Sequence, residues 1–241
     1  MLPKPAGVGM FIEHPFYYTG PGMCGRFNLT DPAAVQARFD FVDWHERRIE
    51  PKFNIAPAQD ILTIVQKEED TPLAQDAVWG LAPHWLRSGS SKPPINARAE
   101  TVATSGLFRG ALARTRCLIP ATGFYEWRAE PGGAGKAPMH IQLKSGEPFA
   151  FAGLWAPGKD GRPTVAIITT GANEFMRSIH TRMPVILRRE DERLWLDPEV
   201  TDVQVVLPLL QPYAAESMSA YEVSRAVNAV ANDGPELIAP I

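Results

Sequence analysis

Cysteine is scarce in this chain of 241 residues, which contains only Cys24 and Cys117. The two are far apart, and neither has a neighbouring cysteine at the spacing of a metal site. These absences argue against a disulfide scaffold and against a zinc ribbon. We therefore expect both thiols to be reduced, and we expect neither a metal nor another cofactor.

Long apolar runs are also missing. No segment is apolar for the length needed to cross a bilayer, and the first 22 residues lack the long apolar centre of a secretory signal. These absences predict a cytoplasmic protein. The sequence shows no internal repeat, and its length is compatible with a single large domain.

Net charge is small, because 24 basic residues are set against 27 acidic ones. The average gives no reason to expect a nucleic-acid partner. The charges are nevertheless uneven: residues 80–128 carry seven basic side chains and two acids, whereas residues 190–241 carry ten acids and two basic side chains. A basic middle can present a local phosphate-attracting face. The alternative, charges scattered over solvated faces, stays open at this point.

The first 22 residues hold four prolines and four glycines without helical or strand periodicity. This composition is typical of a segment outside the folded unit. We expect this leader (1–22) to be absent or removed in the mature protein, with Met23 as the effective start and residues 23–241 as one domain. Asp31 and Pro32 match a helix cap and a first helical position, so a helix should begin there. Cys24 then lies on the strand or loop that enters the fold.

Short apolar or alternating runs predict most of the secondary structure. The predicted strands cover residues 61–65, 76–81, 116–121, 123–127, 139–143, 149–155 and 164–170, and the predicted helices cover 105–114, 172–180, 190–196 and 214–220. Segments 131–138 and 156–163 have the composition of turns between neighbouring antiparallel strands. Strands outnumber helices without regular alternation, which predicts an α+β fold with a curled, largely antiparallel sheet.

Cys24 differs from Cys117 in its neighbours. Cys117 lies within an apolar run and is expected to be buried and inert. Cys24 directly follows Met23, so a chain that starts at Met23 and loses its methionine begins with cysteine. Such a residue carries a thiol and an α-amine on adjacent carbons, with ordinary pKa values of about 8.5 and about 7.7–8.0. This aminothiol can condense with an aldehyde and close to a five-membered thiazolidine, which an ordinary side-chain thiol cannot do.

Six motifs, in order, resemble the SOS-response-associated peptidase (SRAP) family, whose members shield abasic sites in single-stranded DNA by cross-linking to them. The motifs are MCGRF at 23–27, NIAP at 54–57, WGLAPHW at 79–85, NARAET at 96–101, CLIPATGFYEW at 117–127 and IHTRMPVIL at 179–187. YEVS at 221–224 and Val227-Asn228 fit more loosely. The resemblance runs from Met23 to near the C-terminus and implies one domain with a barrel-like sheet flanked by helices.

The resemblance implies four catalytic residues. Cys24 matches the nucleophile that joins the ring-opened abasic sugar, and Asn96 matches the asparagine that holds the cysteine and the sugar in place. Glu126 matches the acid/base group, whose aromatic neighbours can raise its pKa by desolvation. His180 matches the histidine that assists sugar ring opening and imine chemistry, a proton-transfer task suited to imidazole.

The residue types alone leave other interpretations open for three of these positions. Asn96 could cap a helix, and His180 could interact with the C-terminal end of a helix dipole. Glu126 could simply pair with Arg128.

DNA contacts follow from the same resemblance. Arg26 and Arg98 resemble phosphate ligands of the family, and Arg182 is a further candidate, because guanidinium groups suit phosphate. The lesion has lost its base, so recognition should rest on the DNA backbone with little sequence preference. We expect the partner to be single-stranded or junction DNA with abasic sites, including DNA at replication forks, bound by a monomer that joins the nucleoid during repair.

Three aromatic side chains are candidate surfaces for a splayed base: Trp79, Trp85 and Phe124. Aromatics within strands usually belong to the core. Trp85 is therefore the preferred candidate, because it follows Pro83 and His84 at the end of a predicted strand.

The leader conflicts with the chemistry implied for Cys24. In the full chain its nitrogen belongs to a peptide bond, and an amide nitrogen cannot form a Schiff base. Translation could start at Met23, which we favour; the leader could be removed by self-cleavage; or it could stay and leave the protein inactive.

Two functions of other classes also remain open. A papain-like thiol peptidase could use Cys24, His180 and Asn96, and would tolerate residues before the cysteine. A non-covalent module for single-stranded DNA could rely on the basic 80–128 region alone.

Overall fold

The computed structural model describes residues 24–67, 71–86, 92–133 and 135–241. The predicted leader and Met23 therefore lie outside the described residues. The described elements, in chain order, are β1 (Phe27–Leu29), α1 (Pro32–Arg38), β2 (Lys52–Ile55), β3 (Asp60–Val65), β4 (Leu73–Trp79), β5 (Asn96–Arg98), α2 (Arg109–Arg114), β6 (Arg116–Ala121), β7 (Gly123–Ala129), β8 (Lys136–Leu143), β9 (Phe149–Pro157), β10 (Pro163–Gly171), β11 (Arg182–Pro184), α3 (Glu192–Leu196), α4 (Val203–Val206) and β12 (Met218–Glu222).

Five strands close into a barrel. Strands β4, β3, β6, β9 and β10 pair in that order, and β10 returns to β4 through a parallel pairing, whereas the other pairings are antiparallel. Closure satisfies backbone groups that would otherwise lie at free edges. Strands β5 and β11 add to β10 beyond the ring. The predicted α+β fold with a barrel-like, largely antiparallel sheet is therefore confirmed.

The second sheet is antiparallel throughout, in the order β12, β8, β7, β1 and β2. The Phe27 ring joins it to the barrel by packing edge-on against Trp79 and Phe151, at centroid distances of 5.3 and 5.7 Å. On the sheet, Phe27 lies opposite Phe124, and Tyr125 N donates to Arg26 O at 2.9 Å. Continuing this register places Gly25 beside Glu126, so the pairing brings the start of the described chain to the middle of β7.

The four α-helices are short, and none in the described ranges is long and apolar enough to span a membrane. The helix predicted from Asp31 is confirmed, since the Asp31 side chain accepts from Ala34 N at 2.9 Å. The pattern over 105–114 forms a helix only from Arg109 onward. The pattern over 172–180 contains only a 3-10 turn at 176–178.

The helix predicted over 214–220 is wrong. A 3-10 turn at 215–217 leads directly into β12, where Met218 lies opposite Leu143 and Glu222 lies opposite Met139 of β8. Pairing with the available edge of β8 outweighs the weak helical preference of this segment.

Gly123 lies at the passage from the barrel into the second sheet. A Cβ atom at this position would lie 2.4 Å from His140 Nε2, which shares a 2.8 Å hydrogen bond with Asn28 Nδ2. We expect Gly123→Ala to lower the free energy of unfolding by about 1–3 kcal/mol, because the ring must move. Urea denaturation measures this, with Gly106→Ala as the control, since a Cβ there meets nothing within 4 Å. Equal losses of unfolding free energy in both variants would show that the close approach of His140 does not constrain position 123.

Candidate active site

Cys24 and Glu126 form the centre of the site. The Cys24 backbone nitrogen donates to Glu126 Oε1 at 2.5 Å, and each residue is only 4% exposed. Glu126 shares a face of β7 with Phe124, which packs in the main core, so its carboxyl points away from bulk solvent. The alternative pairing with Arg128 is not formed, because Arg128 Nη2 donates to Glu222 Oε2 at 3.0 Å.

Burial dominates the electrostatics of this pair. It raises the pKa of the Glu126 carboxyl above its ordinary value, although the hydrogen bond from Cys24 and the electrostatic influence of nearby His180 partly oppose the shift. Burial, followed by the negative charge of Glu126, raises the pKa of the Cys24 thiol well above its usual range, and Arg182 opposes this. The thiol is therefore held in its protonated form, beside a carboxyl that keeps its proton to a higher pH than an exposed glutamate does.

His180 reaches the site from the segment before β11. Its backbone nitrogen donates to Met176 O at 2.8 Å, and its ring Nδ1 accepts from Arg182 N at 3.1 Å. A neutral ring that accepts at Nδ1 carries its hydrogen on Nε2. His180 therefore offers an Nε2–H donor, and its electrostatic effect on Glu126 connects it with the Cys24 pair.

Asn96 and Arg98 lie on β5, with Ala97 buried between them. Asn96 lies opposite Ile167 of β10, so it is a strand residue, and its interpretation as a helix cap is wrong. The strand starts close to Cys24, since a Cβ placed on the adjacent Gly25 would lie 3.7 Å from Ile95 Cδ1. By strand alternation Asn96 and Arg98 share one face, and Arg98 is exposed.

The guanidinium groups of Arg26 and Arg182 both make internal hydrogen bonds. Arg26 Nη1 donates to Asn54 Oδ1 and to Val227 O, each at 2.7 Å. Arg182 Nη2 donates to Thr169 O at 2.7 Å, and its Nη1 donates to Glu100. Their roles as phosphate ligands remain predictions, and so does that of the more exposed Arg98.

The three candidate stacking aromatics separate by exposure. Trp85 is 56% exposed, in keeping with a surface role. Trp79 and Phe124 are buried, and Trp79 Nε1 donates to Ile95 O at 3.0 Å. A base cannot reach either ring without opening the core, so the prediction that Trp79 or Phe124 is a stacking surface is wrong.

Sequence reasoning missed Asn54, although it lies in the NIAP motif. Asn54 is buried, its Oδ1 accepts from Arg26, and its Nδ2 donates to the carbonyls of Val227, Ala229 and Asn232 at 3.2, 3.0 and 2.8 Å. The amide thereby fastens the C-terminal segment to the arginine that lies two residues after Cys24.

We expect Asn54→Ala to lower the free energy of unfolding by about 2–4 kcal/mol, because it leaves buried polar groups without partners. Asn232→Ala is a matched control, since the Asn232 side chain donates an exposed hydrogen bond to Ala226 O at 2.8 Å. It should lose less than about 1 kcal/mol. Urea denaturation compares the two, and a loss no larger for Asn54 than for Asn232 would show that this amide is not an anchor.

Comparison with known proteins identifies similar sequences over most of the chain. The family model described as SOS response associated peptidase (SRAP) matches residues 23–230. The abasic site processing protein YoqW of Bacillus subtilis (strain 168) is 46% identical over 226 residues, covering 90% of this chain and 99% of that protein. The abasic site processing protein YedK of Escherichia coli (strain K12) is 34% identical, covering 91% of this chain and 100% of that protein.

More distant matches cover a similar share of the chain. The abasic site processing protein HMCES of Gallus gallus is 32% identical, covering 91% of this chain and 78% of that protein. The crystal structure of a protein from Bacteroides thetaiotaomicron superposes with a TM-score of 0.77 at 27% identity, covering 90% of this chain and 100% of that one.

Proposed function

Because this chain belongs to the SOS response associated peptidase (SRAP) family, we propose that it binds abasic sites in single-stranded DNA and attaches to them covalently through an N-terminal Cys24. The names of the relatives support abasic-site DNA as the partner. The observation that carries the chemistry is the 2.5 Å contact between Cys24 N and Glu126 Oε1. That nitrogen is the atom that becomes the reactive amine when the chain begins at residue 24.

The first step forms a Schiff base. The ring-opened abasic sugar presents an aldehyde at C1′, and the Cys24 amine adds to this carbon while an N–H proton passes to the Glu126 carboxylate. Glu126 returns this proton to the aldehyde oxygen, which completes a carbinolamine. It then carries the second N–H proton to the new hydroxyl, which leaves as water and leaves a neutral C=N bond. A carboxyl whose pKa is raised by burial suits this exchange, because it holds a returned proton more readily than an exposed glutamate does.

The second step closes the thiazolidine. The Cys24 sulfur bonds to the imine carbon, the electron pair of the C=N bond moves to nitrogen, and nitrogen gains a proton as the thiol loses one. Glu126 lies beside the nitrogen and also accepts a hydrogen bond from the thiol, so it can relay this proton. The complete reaction joins one aldehyde to one aminothiol and releases one water.

His180 and Asn96 take supporting roles in this proposal. His180 donates a hydrogen bond from Nε2–H to the sugar ring oxygen, which takes up the proton given up by the C1′ hydroxyl as the ring opens. Asn96 holds the cysteine and the sugar from β5. Arg26, Arg98 and Arg182 contribute positive charge for the DNA backbone, and exposed Trp85 offers a stacking surface.

The same atoms can remove a leader. The Cys24 thiol adds to the carbonyl carbon of the preceding peptide bond, the C–N bond breaks as nitrogen takes the thiol proton, and water hydrolyses the resulting thioester. Glu126 lies beside the departing nitrogen and can deliver that proton. A start at Met23 followed by methionine removal yields the same N-terminal cysteine.

A papain-like peptidase is less well supported. Such an enzyme depends on a thiolate stabilised by a neighbouring cation. Here burial and Glu126 raise the pKa of the Cys24 thiol, which disfavours the thiolate. A protonated thiol beside a carboxyl favours chemistry that starts at the Cys24 amine over direct attack by a thiolate.

Incubating protein that begins at Cys24 with single-stranded DNA carrying one abasic site tests the proposal. We expect a heat-stable adduct on a denaturing gel, and no adduct with the same strand lacking the lesion. Peptide turnover without an adduct would instead favour the peptidase. Reversible binding that ignores the lesion would favour a non-covalent module.

A further inference from the structure

The Glu100 carboxylate forms an ion pair with the guanidinium group of Arg182. Arg182 Nη1 donates to Glu100 Oε1, while Nη2 donates to Thr169 O at 2.7 Å and to Thr169 Oγ1 at 3.1 Å. The Arg182 side chain is only 17% exposed, whereas that of Glu100 is 51% exposed. The carboxylate is therefore the member of this pair that faces solvent, and an approaching phosphate meets it first.

Glu100 also carries its charge at neutral pH. The hydrogen bond from Arg182 lowers the pKa of the carboxyl, and the charges of Arg182 and Arg98 lower it further. One negative charge thus lies beside two of the three arginines proposed to attract DNA. Like charges weaken such attraction, so an ionised acid here is unexpected on a simple phosphate-binding face.

The pair borders the reacting groups. The positive charge of Arg182 acts on the Cys24 thiol, and its backbone N–H donates to His180 Nδ1 at 3.1 Å. A DNA strand whose sugar reaches Cys24 therefore passes close to Glu100.

We propose that Glu100 is an internal counter-ion that competes with DNA phosphates for Arg182 and so limits non-covalent affinity for single-stranded DNA. The inference rests on the proposed function in one respect, which is that DNA crosses this face. A DNA phosphate must displace the Glu100 carboxylate from Arg182, so the phosphate–Arg182 contact adds little net binding free energy. The protein then leaves undamaged strands readily, and the covalent bond alone retains it at a lesion.

The test replaces Glu100 by glutamine, which keeps an oxygen acceptor for Arg182 and removes the charge. Binding to undamaged single-stranded DNA is measured by fluorescence anisotropy over a series of salt concentrations. We expect Glu100→Gln to lower Kd about threefold to tenfold at low salt, and to steepen the slope of log K against log salt by about 0.7, the value for one further phosphate contact on a single strand.

Asp76→Asn is the matched control. Asp76 pairs with Arg47, and their side chains are 54% and 29% exposed, so the change in charge and exposure resembles that at Glu100. Asp76 lies on β4 and Arg47 lies between α1 and β2, so the pair is separate from Glu100 and Arg182. The Kd of Asp76→Asn should stay within about twofold of the parent.

Unchanged or weaker binding by Glu100→Gln would overturn the proposal, and so would equal tightening by Asp76→Asn. Absence of DNA binding by both the parent and Glu100→Gln would overturn it as well. The proposed function is tested separately, by adduct formation with abasic DNA. If Glu100→Gln binds undamaged DNA more tightly but the parent forms no adduct, the cross-linking function is contradicted while the counter-ion role stands.

Discussion

Cys24→Ala, in a chain that begins at residue 24, is expected to abolish the heat-stable adduct with abasic DNA. The α-amine remains and can still form a Schiff base, but no thiol is present to close the ring. Imines hydrolyse readily, so the adduct should survive denaturation only after borohydride reduction. Denaturing gels without borohydride should show at least a hundredfold loss of stable adduct, on the order of the contribution of a covalent nucleophile. Gels run after borohydride reduction should still show the reduced adduct.

Cys117→Ala is the matched control for this change. Cys117 is fully buried in β6, and burial raises the pKa of its thiol, so it cannot reach DNA. The adduct should form at the parental rate. A heat-stable adduct in the Cys24 variant, without reductant, would show that another residue is the nucleophile.

Glu126→Gln is expected to slow adduct formation by about 10²–10⁴-fold, the usual contribution of a general acid/base. The amide oxygen can still accept from Cys24 N, so the geometry is retained while proton exchange is lost. Single-turnover kinetics at saturating abasic DNA measure the rate, and DNA affinity should change little. Glu222→Gln is the control, since Glu222 lies on the same sheet but pairs with Arg128 at the protein surface.

The pH dependence gives a second readout for Glu126. Because burial raises the pKa of this carboxyl, the acid limb of the parental rate profile should lie above about pH 4.3, where an exposed glutamate titrates, and Glu126→Gln should lack it. Stability follows the same shift. Ionising the carboxyl is harder in the folded state, so parental stability falls relative to Glu126→Gln as pH rises from the unfolded to the folded pKa. If the parent and Glu126→Gln showed the same pH dependence of stability, or of rate, Glu126 would not be the buried acid/base group.

The sequence predicted the strands of the barrel because their apolar runs are long and buried on both faces, as in β9 and β10. It could not predict the short strands β1, β5 and β11, whose three residues carry too little periodicity. The structure corrected Trp79 for a related reason. Alternation indicates that a strand has two faces, but it does not say which one the barrel encloses.

The site was predicted in part. The motifs supplied Cys24, Glu126 and His180, but the contact between Cys24 and Glu126 depends on the register of β1 on β7, which joins residues about 100 positions apart. Loop closure over such a separation leaves no local signal. The anchoring amide of Asn54 and the carboxylate of Glu100 were missed for the same reason, because their roles exist only through partners distant in sequence.

The most direct test of the central claim is a mass-spectrometric peptide map of the protein after reaction with an abasic strand and nuclease digestion. The account predicts one modified peptide, which starts at Cys24, carries the sugar remnant minus one water, and has neither a free α-amine nor a free thiol. A remnant on another residue, or an adduct of equal yield on a chain whose Cys24 nitrogen is still in a peptide bond, would contradict it.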